Sequence, residues 1–215
     1  YVDGVQQLQY SNTSPWFNVT SPLYIGSYGA MESWGGKLDE VRLSDSARYT
    51  SAFTPSTTKF TSDANTVVLI QSDTTNGSTV FTDSSSNSYP ITVTNVSHYD
   101  TLPPVGSSAI YFPANSGLTN TQSWLAIADN SVWDFGTGDF TWEMWVMVPA
   151  ISRQMKIFGS QGWSNSGAYD WVFDINPNRT LILSFYNGST SQDLNTSTAL
   201  PVSTWTHLAV SRSSV

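Results

Sequence analysis

Through residues 138–148, GDFTWEMWVMV, apolar side chains recur at every second position. Trp142, Met144, Val146 and Val148 fall on one face, and Thr141, Glu143, Trp145 and Met147 on the other. Successive side chains of a strand point to opposite sides, so this period predicts a strand with one face against a core. Trp145 and Met147 make the second face apolar too, which predicts a central strand covered on both sides. Shorter runs at 23–26, 37–43, 67–71, 91–93, 109–112, 124–127, 156–159, 170–175, 181–186 and 206–211 predict further strands. In 37–43, alternation places Asp39, Val41 and Leu43 on one side and Leu38, Glu40 and Arg42 on the other. Asn176-Pro177-Asn178-Arg179 reads as the turn of a hairpin. Ser46 to Tyr49 fits one helical turn, and no longer helical period occurs. Many short strands separated by turn signals predict an antiparallel β-sandwich or jelly roll. Its core should include Trp142, Met144, Val146, Trp171, Phe173 and Leu208.

Composition narrows the functional classes. The chain has 215 residues, a formal net charge of -8 and a pI near 4.4. Nine Trp, 10 Tyr and 10 Phe supply material for a core, while only 11% of residues are charged. Ser and Thr make up roughly a quarter of the chain, above ordinary usage. Eight scattered Lys and Arg cannot form a phosphate-neutralising patch, which argues against nucleic acid as a partner. The absence of Cys excludes a disulfide framework and a thiolate metal site. No apolar run reaches membrane-spanning length and no signal peptide opens the chain, so membrane insertion is not expected. The abrupt start at Tyr1-Val2-Asp3-Gly4 suggests a segment of something longer. Residues 51–65 are rich in Ser, Thr and Pro without periodicity, and 59–66 is the expected linker.

Several motifs together resemble the laminin-G-like, concanavalin A-like jelly rolls. From Thr66 onward the matching pieces are Val67-Val68-Leu69-Ile70, Phe81 to Asn87, Ala109-Ile110-Tyr111-Phe112, Trp133 to Thr141 and Trp205-Thr206-His207-Leu208-Ala209-Val210. These resemble the opening two-thirds of that family. Its closing third resembles the start of this chain: Tyr1 to Val5, Leu23-Tyr24-Ile25-Gly26, Gly36 to Leu43, and Ala47 to Thr50 with Phe53-Thr54-Pro55. The order is thus permuted, with a C-terminal third over 1–58, a linker over 59–66 and the N-terminal two-thirds over 67–215. Either the chain is a circular permutant, or it is one period of a tandem array divided inside a domain. The array is the favoured reading. It implies head-to-tail contact with copies of itself, an extracellular or virion- or cell-surface location, and a structural or adhesive role in a fibre. Tyr1-Val2 should pair with the 206–211 strand of the neighbouring unit.

The resemblance also sets the candidate chemistry. A concanavalin A-like fold can carry a glycosidase built on paired carboxylates. The three Glu, Glu32, Glu40 and Glu143, form no such pair, and Asp39 and Glu40 alternate to opposite faces. A carboxylate satisfied by a neighbouring strand accounts for Glu143 better than catalysis does. His207 on its strand and His98 in a polar loop lack a nucleophile setting. The chain is therefore expected not to be an enzyme. Calcium is the cofactor the resemblance raises, because hard cations take carboxylate and carbonyl oxygens. Asp39 and Asp73 would meet if the 37–43 and 67–71 strands are neighbours. Asp129, Asp134 and Asp139 form a second cluster, accounted for equally by loop capping. Trp16, Trp34, Trp124 and Trp163 fall in or near loops, and Trp163 in Gly162-Trp163-Ser164-Asn165 is the candidate for stacking on a glycan. A lectin-like module is thus the alternative to a structural one, and a glycoside hydrolase is the third. Sequons at Asn12, Asn18, Asn76, Asn95, Asn178, Asn187 and Asn195 matter only on a glycosylating route.

Overall fold

A computed structural model describes residues 1–11, 15–16, 20–26, 34–113, 122–160, 171–186 and 190–213. Thirteen strands occur among them: β1 Leu23–Ile25, β2 Gly36–Ser44, β3 Thr66–Ile70, β4 Ile91–Thr94, β5 Ser97–Tyr99, β6 Ala109–Phe112 and β7 Trp124–Ile127, followed by β8 Phe140–Met147, β9 Met155–Ser160, β10 Trp171–Ile175, β11 Leu181–Tyr186, β12 Ser191–Asn195 and β13 Trp205–Arg212. Apart from a 3₁₀ turn at Ser131–Trp133, no helix is present in the described residues. One sheet has the order β12-β11-β10-β9-β1-β7-β4. The other runs β13-β8-β2-β6-β5, with β3 also paired to β2. Every pairing between named strands is antiparallel.

The strand read at 138–148 is β8, and it is central: β13 pairs along one side and β2 along the other. Trp142, Met144 and Val146 are at most 2% exposed and face the other sheet. Trp171, Phe173 and Leu208 complete the expected core set. Trp142 stacks on Phe158 at 4.2 Å and lies 4.9 Å from Trp171, so aromatic rings from both sheets interlock at mid-sandwich. Burying side chains of this size stabilises the fold by about 1.5–3 kcal/mol each. Trp16 and Trp34, placed near loops by sequence, also belong to the core.

In β2 the expected alternation fails at one residue. Glu40 has φ +50°, and the register with β8 slips between Asp39 and Arg42. One extra residue on β2 is a β-bulge. It puts Leu38 on the core side with Val41 and Leu43, and Asp39 on the outer side with Arg42. Strict alternation would have separated Asp39 from Arg42.

Residues 45–65, expected to include a helical turn at Ser46 to Tyr49 and a linker at 59–66, instead lie against the outer face of the β13-β8-β2 sheet. Arg48 N–H donates to Thr141 Oγ1 at 2.8 Å, and its guanidinium pairs with Asp63. Phe60 N–H donates to the Glu40 carboxylate at 2.6 Å. The 59–66 stretch is therefore packed onto the sheet. The two segments read as separate parts of a jelly roll, 1–58 and 67–215, form one sandwich, with β2 wedged between β8, β6 and β3.

Tyr1 and Asp3 meet β13 of the same chain. Tyr1 N–H donates to Ala209 O, Ala209 N–H to Tyr1 O, and Asp3 N–H to His207 O. Val2 bridges Leu208 antiparallel. The pairing of chain start with 206–211 thus exists, and it is made within one chain.

Candidate functional site

On the outer face of the seven-stranded sheet, register and alternation line up one row of side chains. Thr92, Ala126, Tyr24, Gly159, Val172, Ser184 and Asp193 are successive cross-strand partners. Their sequence neighbours Leu23, Ile25, Leu125, Phe158, Trp171 and Phe173 belong to the core, so this row points away from it. The middle of the row is small and buried: Ala126, Val172 and Ser184 are only 9%, 4% and 6% exposed, and Gly159 is buried with them. Gly159 cannot carry a larger side chain, because a Cβ there would sit 2.7 Å from Trp171 O. Over this low floor stand Tyr24 and Trp124, both half-buried, edge to face at 5.8 Å and 85°. Asp174 and Lys156 face each other across β10 and β9 further along the same face, and Gln154 Nε2 donates to Asp174 Oδ2 at 2.7 Å. With the small residues and Asp174 buried, the partly exposed Tyr24 and Trp124 rings are what this part of the face offers a ligand, and aromatic rings suit one with a CH face.

The carboxylates have other tasks. Glu143 is fully buried on the opposite sheet. Arg42 donates to its Oε1 from Nε at 2.8 Å and Nη2 at 2.6 Å, and the Tyr49 hydroxyl donates to Oε2 at 2.6 Å. His207 Nε2 lies 3.4 Å from Oε2. Burial alone would raise the Glu143 pKa; the His207, Arg42 and Tyr49 contacts outweigh it and hold the carboxyl below its usual value. Phe60 covers Arg42 at 4.2 Å, Phe53 stacks on Tyr49 at 3.6 Å, and the Phe53 ring edges against His207. Glu143 is sealed beneath 45–63 and reaches no solvent. Glu40 is also buried, holding Phe60 N–H and the Gln71 side-chain amide. Glu32 lies outside the described residues.

The strands carrying Asp39 and leading into Asp73 are neighbours in one sheet. Asp39 is 1% exposed; Oδ1 accepts the Glu40 N–H, and Oδ2 has no hydrogen-bond partner among the described residues. Burial first, then the Glu40 and Asp73 charges, raise its pKa to about 8. Asp73 is already engaged by Lys59 Nζ at 2.7 Å and the Ser107 N–H at 3.0 Å. Among the described residues no group of three or more His, Asp or Glu side chains is arranged to hold a metal ion. In the second acidic cluster, Asp129 Oδ1 accepts the Ser21 N–H, which fits a loop-capping role. Trp163 falls at 161–170, outside the described residues.

His98 carried no signal in the sequence, yet it is a buried structural residue of β5. Nε2 lies 2.9 Å from Val80 O, which can only accept, so the ring proton is on Nε2. Nδ1 then accepts from the Ser72 hydroxyl at 2.6 Å, and Phe81 stacks on the ring at 4.0 Å. Tyr24 and Trp124 were not paired by sequence reasoning. The signal was there: alternation in Leu23-Tyr24-Ile25 and Trp124-Leu125-Ala126-Ile127 puts each aromatic opposite the aliphatic core residues.

Two antiparallel sheets packed over one aromatic core, with strands crossing between them, define a jelly-roll β-sandwich. Residues 118–215 match the family model of the concanavalin A-like lectin/glucanases superfamily. The match covers the C-terminal part, less than half of the chain, and the two antiparallel sheets are consistent with a concanavalin A-like β-sandwich. No curated protein and no solved structure matches the chain.

Proposed function

We propose that the chain is a non-catalytic adhesive module that holds glycans on the outer face of its seven-stranded sheet, outside the cell or on a cell or virion surface. The observation that carries this is the partly exposed Tyr24–Trp124 pair at the side of a row of small, buried residues. Sugar rings stack their CH faces on aromatic rings and hydrogen-bond at their rims, which favours a neutral platform of this kind. The 161–170 segment, with Trp163, joins β9 and β10 of the same sheet, and Trp163 is assigned to the same ligand. The burial of Glu143 and Glu40 supports a binding role over glycoside hydrolysis, which needs two carboxyls open to substrate. A glycan array of the chain and its Trp124→Ala variant tests the reading. Selective binding that falls about tenfold or more in the variant is expected, each tenfold being about 1.4 kcal/mol. A flat array, or binding indifferent to Trp124, removes it.

Two further elements belong to this proposal. In a tandem fibre, Tyr1 to Asp3 would close each unit on its own β13, so that units are joined by the chain and not by exchanged strands. Calcium at the Asp39–Asp73 corner is the second: it would ionise the buried Asp39 carboxyl, raised to about 8, through its unpartnered Oδ2, and displace Lys59 from Asp73. Millimolar calcium should raise the melting temperature of the wild type and not of Asp39→Asn. A melting temperature indifferent to calcium and to chelator takes calcium out of the proposal.

A further inference from the structure

A second cavity chemistry lies at the opposite flank from the aromatic wall, where the two sheets end. β13 closes one sheet and β12 the other, and the seam between them is spanned by the start of the chain. Tyr1 pairs with β13, and the Tyr10 hydroxyl donates to Gln192 Oε1 on β12 at 3.4 Å. Beneath this span lies a cavity of about 400 Å³. Its walls come from both sheets: Phe140 and Val210 on one side, Phe173, Leu183, Phe185 and Leu194 on the other. That volume falls in the range of small-molecule sites, about 300–1,000 Å³. Interiors are close-packed, so an open cleft with apolar walls of this size is room for an apolar guest.

The mouth is polar and carries one kind of charge. Gln6, Gln7 and Gln9 border it, and among the described residues Arg212 is the one charged side chain in the lining. Arg212 donates to Gly136 O at 2.6 Å through Nη1, and its guanidinium sits 5.7 Å from the Trp16 ring centre. Asp139 is close enough to feel that charge but does not line the cavity. Among the described residues no carboxylate side chain lines it. In a chain of net charge -8, a cation at the mouth of an apolar slot is complementary to an anionic headgroup on an apolar body.

We infer that the cleft between β13 and β12 binds a single-chain amphiphile, its apolar tail between the sheets and its anionic head on Arg212. The span from Tyr1 to Tyr10 is the cover through which the ligand enters. Between those anchors Val2 and Val5 pair with each other and Phe53 N–H donates to Gly4 O, while Val5, Leu8 and Tyr10 are 59%, 46% and 49% exposed. This site is separate from the glycan face, and the inference does not rest on that reading.

Calorimetry with decanoate, 1-decanol and decyltrimethylammonium tests it on the intact chain. Decanoate is expected to bind one per chain, with a negative heat-capacity change from apolar burial. Arg212→Gln should weaken decanoate about tenfold, the scale of one hydrogen bond to a charged group, and leave decanol unchanged. Leu183→Trp fills the slot and should abolish binding of both. Should that variant lose the wild-type circular dichroism spectrum, Leu194→Trp, opposite it in the register, takes its place. The inference is overturned if neither decanoate nor decanol binds saturably. It is equally overturned if the ammonium binds as well as decanoate, or if the filled variant binds as the wild type does.

Discussion

Replacing Glu143 by Gln would leave Arg42 buried without its counter-charge. The loss of one partner of a buried pair costs about 3–5 kcal/mol, because the remaining charge stays desolvated. The sign of the pH dependence follows from the lowered Glu143 pKa. A carboxyl depressed in the folded state contributes stability above its unfolded pKa, about 4.3, and loses it as pH falls through the lower folded value. The wild type should therefore exceed Glu143→Gln by a constant margin at neutral pH, and the margin should close in acid. Urea denaturation at several pH values reads this directly; a margin that persists in acid would mean that packing, not charge, fixes Glu143. Asp39 on the same sheet carries the opposite sign: raised to about 8, it costs stability as pH rises from its unfolded value toward that point. Nothing in the residue type separates these two carboxylates. The bulge at Glu40 and the three-sided cage of Arg42, Tyr49 and His207 do, and both arise from contacts between residues far apart in the chain.

At the level of elements, the strands with strong alternation were legible, and β8, β10, β11 and β13 lie close to where the pattern puts them. Their pairing was partly legible through the family resemblance, which placed 37–43 beside 67–71; β2 and β3 are paired. The strands that were not legible lack an apolar stripe. β12, Ser191–Asn195, reads SQDLN and is held by backbone pairing to β11 at a sheet edge. β5, Ser97–Tyr99, is three residues long and buries a histidine. The cover over 45–65 was hidden for another reason: Tyr49, Phe53 and Phe60 are spaced irregularly, because a strap touches the sheet wherever its turns allow. The element with the most direct consequence for assembly is the Tyr1 to Asp3 segment on β13. An edge strand left open would offer its backbone groups to another chain. Here they are matched within the chain, so light scattering of the purified protein should give a monomer. A concentration-dependent polymer would mean that the segment exchanges between copies.

For the whole molecule, the two sheets divide the work. The six-stranded sheet turns its outer face to the 45–65 strap, which seals a charged network over Glu143. The seven-stranded sheet leaves two aromatic side chains, Tyr24 and Trp124, partly exposed beside a row of small, buried residues. Composition agrees with that division: few charges and many hydroxyl-bearing residues make a surface compatible with neutral, hydroxyl-rich ligands. The most direct measurement is amide hydrogen exchange of the chain with and without the glycan that the array selects. The proposed face requires slowed exchange in β1, β7, β9 and β10, around Tyr24, Trp124, Gly159 and Val172, with β2, β8 and β13 unchanged. Protection confined to the six-stranded sheet, or no protection at saturating glycan, would contradict it.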